Sequence, residues 1–141
     1  MNYYNILTNM TKKIFAEISV GELLDKITIL EIKKDKINDK KKLIFIRNEL
    51  QILKKIKKNL KLKKEINLFY KQLKNANKSL WNIENKIRKH EKIKKFDKKF
   101  IFLARKVYQT NDLRSKIKFR INMLLKSNIV EMKSYSKYIT N

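Results

Sequence analysis

Residues 62–87, LKKEINLFYKQLKNANKSLWNIENKI, decide the fold class. Leu62, Ile66, Phe69, Leu73, Ala76, Leu80, Ile83 and Ile87 recur at spacings that alternate between four and three. An α-helix gathers those positions into one stripe, whereas a strand would divide them between two faces. Such a stripe is stable in water only against another helix, so the segment predicts a coiled coil or an antiparallel helical hairpin.

Working outward, a second seam precedes it: Leu43, Ile46, Leu50, Leu53, Lys57 and Leu60. A first seam runs through Val20, Leu23, Ile27, Leu30 and Ile37, with Lys34 in one slot. Its start carries a capping box, Ser19 with Glu22, flanked by Ile18 and Leu23 as a hydrophobic staple. The first two seams are offset, and the preferred reading is one long helix over 19–60 that bends near 38–42. The corner before the third seam is expected at Lys57–Lys64.

Toward the C-terminus, Asp97 is placed to cap a shorter helix with Phe100, Leu103, Ala104 and Val107 on its apolar face. Asn111–Asp112 is expected to end it and open another through Leu113, Ile117, Ile121 and Leu124. Asn128 with Glu131 suggests a short terminal helix. The expectation is an all-α fold: a long antiparallel, coiled-coil-like helical hairpin with two or three shorter C-terminal helices packed on one end. Residues 1–17 read as a loosely ordered arm and residues 18–141 as a single helical domain, the size being right for one core.

Composition agrees and excludes several chemistries. The chain has one glycine, Gly21, with no proline and no cysteine. Hairpins and barrels draw on glycine and proline at their turns, which argues for helices joined by polar corners. Without cysteine there are no disulfides, thiolate metal sites or cysteine nucleophiles. A single histidine, His90, supports no histidine metal cluster, and the lone glycine rules out phosphate-cradling glycine loops. No metal site and no cofactor are expected. No apolar run reaches the roughly 18 residues of a membrane span, and the N-terminus does not read as a signal peptide. A cytoplasmic protein is the expectation.

Charge needs care. The formal net charge is +24, which ordinarily suggests a polyanion partner. Lysine, isoleucine and asparagine, all with A/T-rich codons, make up about half the chain, far above ordinary usage. Only five residues are arginine (Arg47, Arg88, Arg105, Arg114, Arg120), the type preferred for bidentate phosphate and base contacts. A solvated lysine surface is the favoured reading, with nucleic-acid binding only nonspecific. Against that background, residues 17–39 stand apart: six acids accompany four lysines there, whereas residues 40–99 set twenty lysines and two arginines against five acids.

The candidate polar residues follow from the wheel. In the first helix Glu31 falls at the margin of the apolar face, where a salt-bridged carboxylate is expected. Asp25 falls on the opposite side with Lys33 and Lys36, and reads as a surface residue pairing with Lys26 or Lys33. In the third helix Glu84 and Glu91 lie along the flank of the apolar stripe and need cationic partners. Arg88 is the local partner of Glu84, Arg105 and Arg114 are expected to reach in, and Trp81 to cover the group. A further polar set, Arg105, Tyr108, Asn111, Asp112, Arg114 and Lys118, surrounds the expected helix junction and suits a small anion. His90 reads as a packed or capping residue. Structural ion pairs and a functional pocket are both open readings of this cluster.

The stretches EISVGELLDKITILEIK (17–33), LWNIENKIRKHE (80–91), FDKKFIFLARKVYQTNDLRSKIK (96–118) and KSYSKY (133–138) together resemble a family of small, all-helical bacterial proteins of unknown function. Members of that family tend to accompany glycosyltransferases and surface-polysaccharide assembly proteins. The resemblance implies an envelope-glycan (lipopolysaccharide) context and carries no activity, cofactor or catalytic residue.

Three functional readings follow. The leading one is a non-enzymatic accessory acting through a protein partner or self-association. The alternative is a binding protein or small enzyme for an anionic metabolite, such as a sugar phosphate or nucleotide sugar, using the Glu/Arg cluster. The third is nonspecific nucleic-acid binding through the lysine-rich helices.

Overall fold

The structure is a computed structural model and describes residues 13–62 and 64–136. Among these residues there are four α-helices and no strand: α1 (Val20–Lys36), α2 (Lys40–Asn59), α3 (Ile66–Lys92) and α4 (Lys98–Leu124).

Helix α1 begins as its sequence dictates. The Ser19 hydroxyl accepts from the Glu22 N–H at 3.1 Å, satisfying one of the orphan donors of the first turn. The Glu22 carboxylate does not close the box; it bridges to Lys118 on α4. The long bent helix expected over 19–60 is instead two helices. Ile37 is extended (φ −96°, ψ 127°), and Asp39 starts α2 by accepting from the N–H groups of Lys41 and Lys42. An aspartate in cap geometry competes with helical continuation, so the offset between the two seams is a full break.

The other corner lies where expected, between Asn59 and Ile66, and shows how a chain nearly free of glycine turns. Lys61, Lys94 and Lys126 all have positive φ, at 44°, 53° and 50°. After α3, Lys95 N–H donates to the His90 carbonyl and Lys94 N–H to that of Glu91; after α4, Ser127 and Lys126 bond to Asn122 and Met123 in the same way. These are Schellman closures with lysine in the left-handed position that glycine usually fills. The bonded carbonyls offset the steric cost of that conformation, about 1–2 kcal/mol.

The expected junction at Asn111–Asp112 is absent: α4 runs unbroken for 27 residues. Asn111 does not cap, because its side-chain oxygen accepts from Arg114, and α4 packs along α3, itself 27 residues long. Burial along α3 outweighs a weak local stop signal. Nor does a terminal helix form over residues 127–136. Asn128 donates to Glu17 and Glu131 accepts from Lys118, so both side chains read as helix starters are engaged in tertiary contacts. Of the expected N-terminal arm over 1–17, residues 1–12 lie outside the described residues, and 13–17 are non-helical.

Helix α1 packs against each of the other three. One face joins Leu23, Ile27 and Leu30 to Ile46 and Leu50 of α2. The next joins Leu24 to Ile66 and Leu73 of α3 and Ile117 and Ile121 of α4. The decisive stripe over 62–87 faces inward, with Ile66, Leu73, Ala76, Leu80 and Ile83 buried. Gly21 sets the approach of α1 to α4. Its N–H donates to Asn122 Oδ1 at 2.7 Å, and a Cβ there would lie 2.8 Å from both that oxygen and the Lys118 carbonyl.

Gly21→Ala is therefore expected to destabilise the fold by about 1–3 kcal/mol through overpacking, although alanine is the better helix former by roughly 1 kcal/mol. Urea unfolding measures the sign directly; a stabilised variant would contradict the close approach.

Candidate functional site

The third face of α1 is polar. Gly21, Asp25, Thr28 and Ile32 recur at spacings of four and three, and all four are buried. Asp25 is only 1% exposed and draws on two other helices. Asn77 of α3 donates through Nδ2 to Asp25 Oδ1 at 2.7 Å and to Thr28 Oγ1 at 2.8 Å. Arg114 of α4 places Nη2 3.1 Å from Asp25 Oδ2. Thr28 in turn donates to the Asp25 backbone carbonyl at 2.9 Å. Both carboxylate oxygens are thus engaged, as a buried charge requires. The expectation that Asp25 sits on the solvent side with Lys33 is overturned. Neighbouring helices cover that side of α1, which a wheel drawn for one helix does not show.

Arg114 is fixed at both ends of its guanidinium, by Asp25 and by Asn111 Oδ1 at 3.1 Å from Nη1. It nonetheless keeps 28% of its side chain exposed, toward a cleft of about 420 Å³ between α1, α3 and α4. Ile29, Ile32, Leu80 and Trp81 form apolar walls; Asn77, Asn85 and Arg114 supply polar groups, and Glu84 and Arg88 complete the lining. Glu84 and Arg88 pair with one another. The volume is that of a small-molecule site with few, placed polar groups.

The rest of the expected cluster is divided. Glu31 sits on another side of α1, held by Lys54 of α2 and Lys74 of α3 at 2.8 Å each. Burial alone would raise its carboxyl, but hydrogen bonds and charge from the two lysines outweigh that and hold it at about 2, below the ordinary 4.5. Beside it, burial and then the Glu31 charge push the Tyr70 phenol up, and the Tyr70 hydroxyl is buried with no hydrogen-bond partner among the described residues. Lys57 stacks its ammonium 3.8 Å from the Tyr70 ring centre, and burial lowers its pKa. Lys118 is buried between Glu22 and Glu131; burial disfavours its charge, but the two carboxylates raise its pKa overall.

Glu91 is exposed, pairs with Lys94 and does not line the cleft. Arg105 and Tyr108 are exposed, and Asp112 is half-buried. None of the three lines the cleft. His90 packs 6.2 Å from the Phe100 ring and its Nδ1 lies 3.1 Å from the Lys95 carbonyl. Among the described residues, no group of three or more His, Cys, Asp or Glu is placed to hold a metal ion.

Sequence reasoning missed Asp25, Thr28 and Asn77. A signal was present: the one glycine, an aspartate and a threonine share a helical face at positions 21, 25 and 28. Small and polar residues so spaced mark a face approached closely by other elements.

The model of the family described as "Family of unknown function (DUF6165)" matches residues 14–141. The chain belongs to this family. No curated protein and no solved structure matches it.

Asp25→Ala is expected to cost about 3–5 kcal/mol, because it strands the Arg114 guanidinium without its buried partner; chemical denaturation measures it. Glu31 makes a pH prediction. Its folded pKa lies below the unfolded value, so its pairing stabilises fully above about pH 4.5 and is lost as pH falls toward 2. Glu31→Gln should flatten that part of the urea-midpoint curve; an unchanged slope would show that the lysine pair contributes nothing.

Proposed function

We propose that this protein binds a small anion, a carboxylate or phosphate carried on a metabolite, in the cleft beside Arg114. One observation carries the reading: Arg114, clamped by a buried carboxylate and an asparagine, lines a cleft of metabolite size and keeps part of its side chain exposed. A clamped arginine loses little side-chain entropy on binding, and its planar fork matches an oxyanion. Asp25 offsets much of its charge, which favours modest affinity and reversible binding. The one tryptophan, Trp81, forms an apolar wall for the body of the ligand.

Binding is favoured over catalysis because the carboxylate lining the cleft, Glu84, is paired with Arg88 and is not poised as a base. Three of the four blocks that carry the family resemblance meet here: Asp25 comes from 17–33, Trp81, Glu84 and Arg88 from 80–91, and Arg114 from 96–118. That resemblance supports a role as an accessory of a glycan-building enzyme, with a sugar phosphate or nucleotide sugar as the ligand.

Because the chain has a single tryptophan in the cleft, its emission reports occupancy. Titration with inorganic phosphate, sugar phosphates, nucleotide sugars and simple carboxylates in roughly 0.3 M salt suppresses loose lysine contacts. A saturable change is expected for one class, weakened about tenfold by Arg114→Lys, which keeps the charge but loses the fork. Arg88→Ala alters an exposed pair at the cleft, keeps the fold, and should weaken binding by a smaller factor. Ligands that move wild type and both variants alike would refute the site.

A further inference from the structure

A helix packed on one side normally turns a polar face to water. Helix α4 does not. Leu103, Ile117 and Ile121 are buried on its inner side, yet Ile101, Phe102, Leu113 and Met123 on its outer side are each more than half exposed, with Phe119 at 41%. Their positions recur over the outward arc from Ile101 to Met123, roughly 33 Å of helix at 1.5 Å per residue. The same arc carries Arg105, Lys106, Lys116 and Arg120, with Asp112 the acid among them. Beside its C-terminal half, Met132, Lys133 and Tyr135 join Lys116, Phe119 and Arg120 around an open hollow of about 720 Å³, whose lining also includes the acids Asp112 and Glu131. Apolar and cationic groups therefore alternate along one side of the molecule, away from the Arg114 cleft.

We propose that this side of α4, with residues 132–135, docks on an anionic phospholipid bilayer. Three features select that occupant. A second copy brings another +24 of like charge against this face. A partner helix seats in a groove lined by a continuous apolar stripe, whereas here the apolar side chains are spread over a convex helix face and separated by cations. A bilayer with anionic headgroups complements both: phenylalanine, isoleucine and methionine enter the headgroup–acyl boundary while lysine and arginine reach back to the phosphates. The contact is peripheral, since no helix among the described residues is long and apolar enough to cross a membrane.

The test is co-sedimentation of the full chain with vesicles of phosphatidylcholine alone or with about one third phosphatidylglycerol, at about 0.15 M salt. Wild type should bind the phosphatidylglycerol vesicles and leave the phosphatidylcholine ones. Phe102→Ser with Phe119→Ser should lower the partition coefficient about tenfold or more, with the circular-dichroism melt unchanged because both side chains are exposed. Lys55→Glu with Lys58→Glu reverses two charges on α2, away from this face, and should alter it less than about threefold, because attraction to the headgroups falls off within a Debye length. If the lysine pair on α2 weakens binding as much as the phenylalanine pair on α4, attraction is undirected charge and the proposal fails. It fails equally if the phenylalanine pair has no effect, or if sedimentation equilibrium reveals a dimer that Phe102→Ser dissolves.

Discussion

The carboxylate of Asp25 constrains the rest of the structure. Buried inside a helical bundle, it is tolerable only if its oxygens are met from outside α1. Asn77 meets one and Arg114 the other, so the register of α3 and of α4 against α1 is tied to a single side chain. One turn earlier, Gly21 admits Asn122 of α4 to its N–H. Apolar packing alone tolerates small slides between helices; these directional contacts do not. The candidate cleft follows from the same constraint, because the arginine that satisfies Asp25 is thereby fixed at its edge.

The unusual acid content of residues 17–39 acquires a physical reason. Helix α1 is the element that touches all three others, and those neighbours are rich in lysine. Three of its four acids are spent at the contacts: Glu22 on Lys118, Asp25 on Arg114, and Glu31 on Lys54 and Lys74. Lys26 adds the reverse pairing with Glu49 of α2. In a chain with 13 acids against 37 basic residues, such placement concentrates the few carboxylates where charge is partly desolvated and attraction is least screened. Most of the other described lysines are exposed, and with a net charge of +24 the protein's outer field is positive.

Lysine also takes the backbone role of the missing glycines, holding the left-handed position at Lys61, Lys94 and Lys126. A lysine in that conformation is indistinguishable in sequence from the many others, so the usual residue marker of a helix end is absent at these turns.

The all-helical class, the cap at Ser19, the inward stripe over 62–87, the corner before α3 and the ion pairing of Glu31 were legible in the sequence. Each depends on residues close together along the chain, where helical periodicity and capping chemistry act locally. The break at Ile37–Asp39 is also local, set by the Asp39 cap, but the unbroken α4 and the burial of Asp25 were decided by tertiary packing. Whether Asn111–Asp112 stops a helix depends on how much surface that helix buries elsewhere, and whether Asp25 faces water depends on how many helices surround α1. Arg114, Asn77 and Trp81 come together only because α3 and α4 fold back along α1. The sequence by itself therefore determined the elements and the residue types available for a site; only the tertiary structure decided which of them share one, because proximity between residues dozens of positions apart is a property of packing and not of local order.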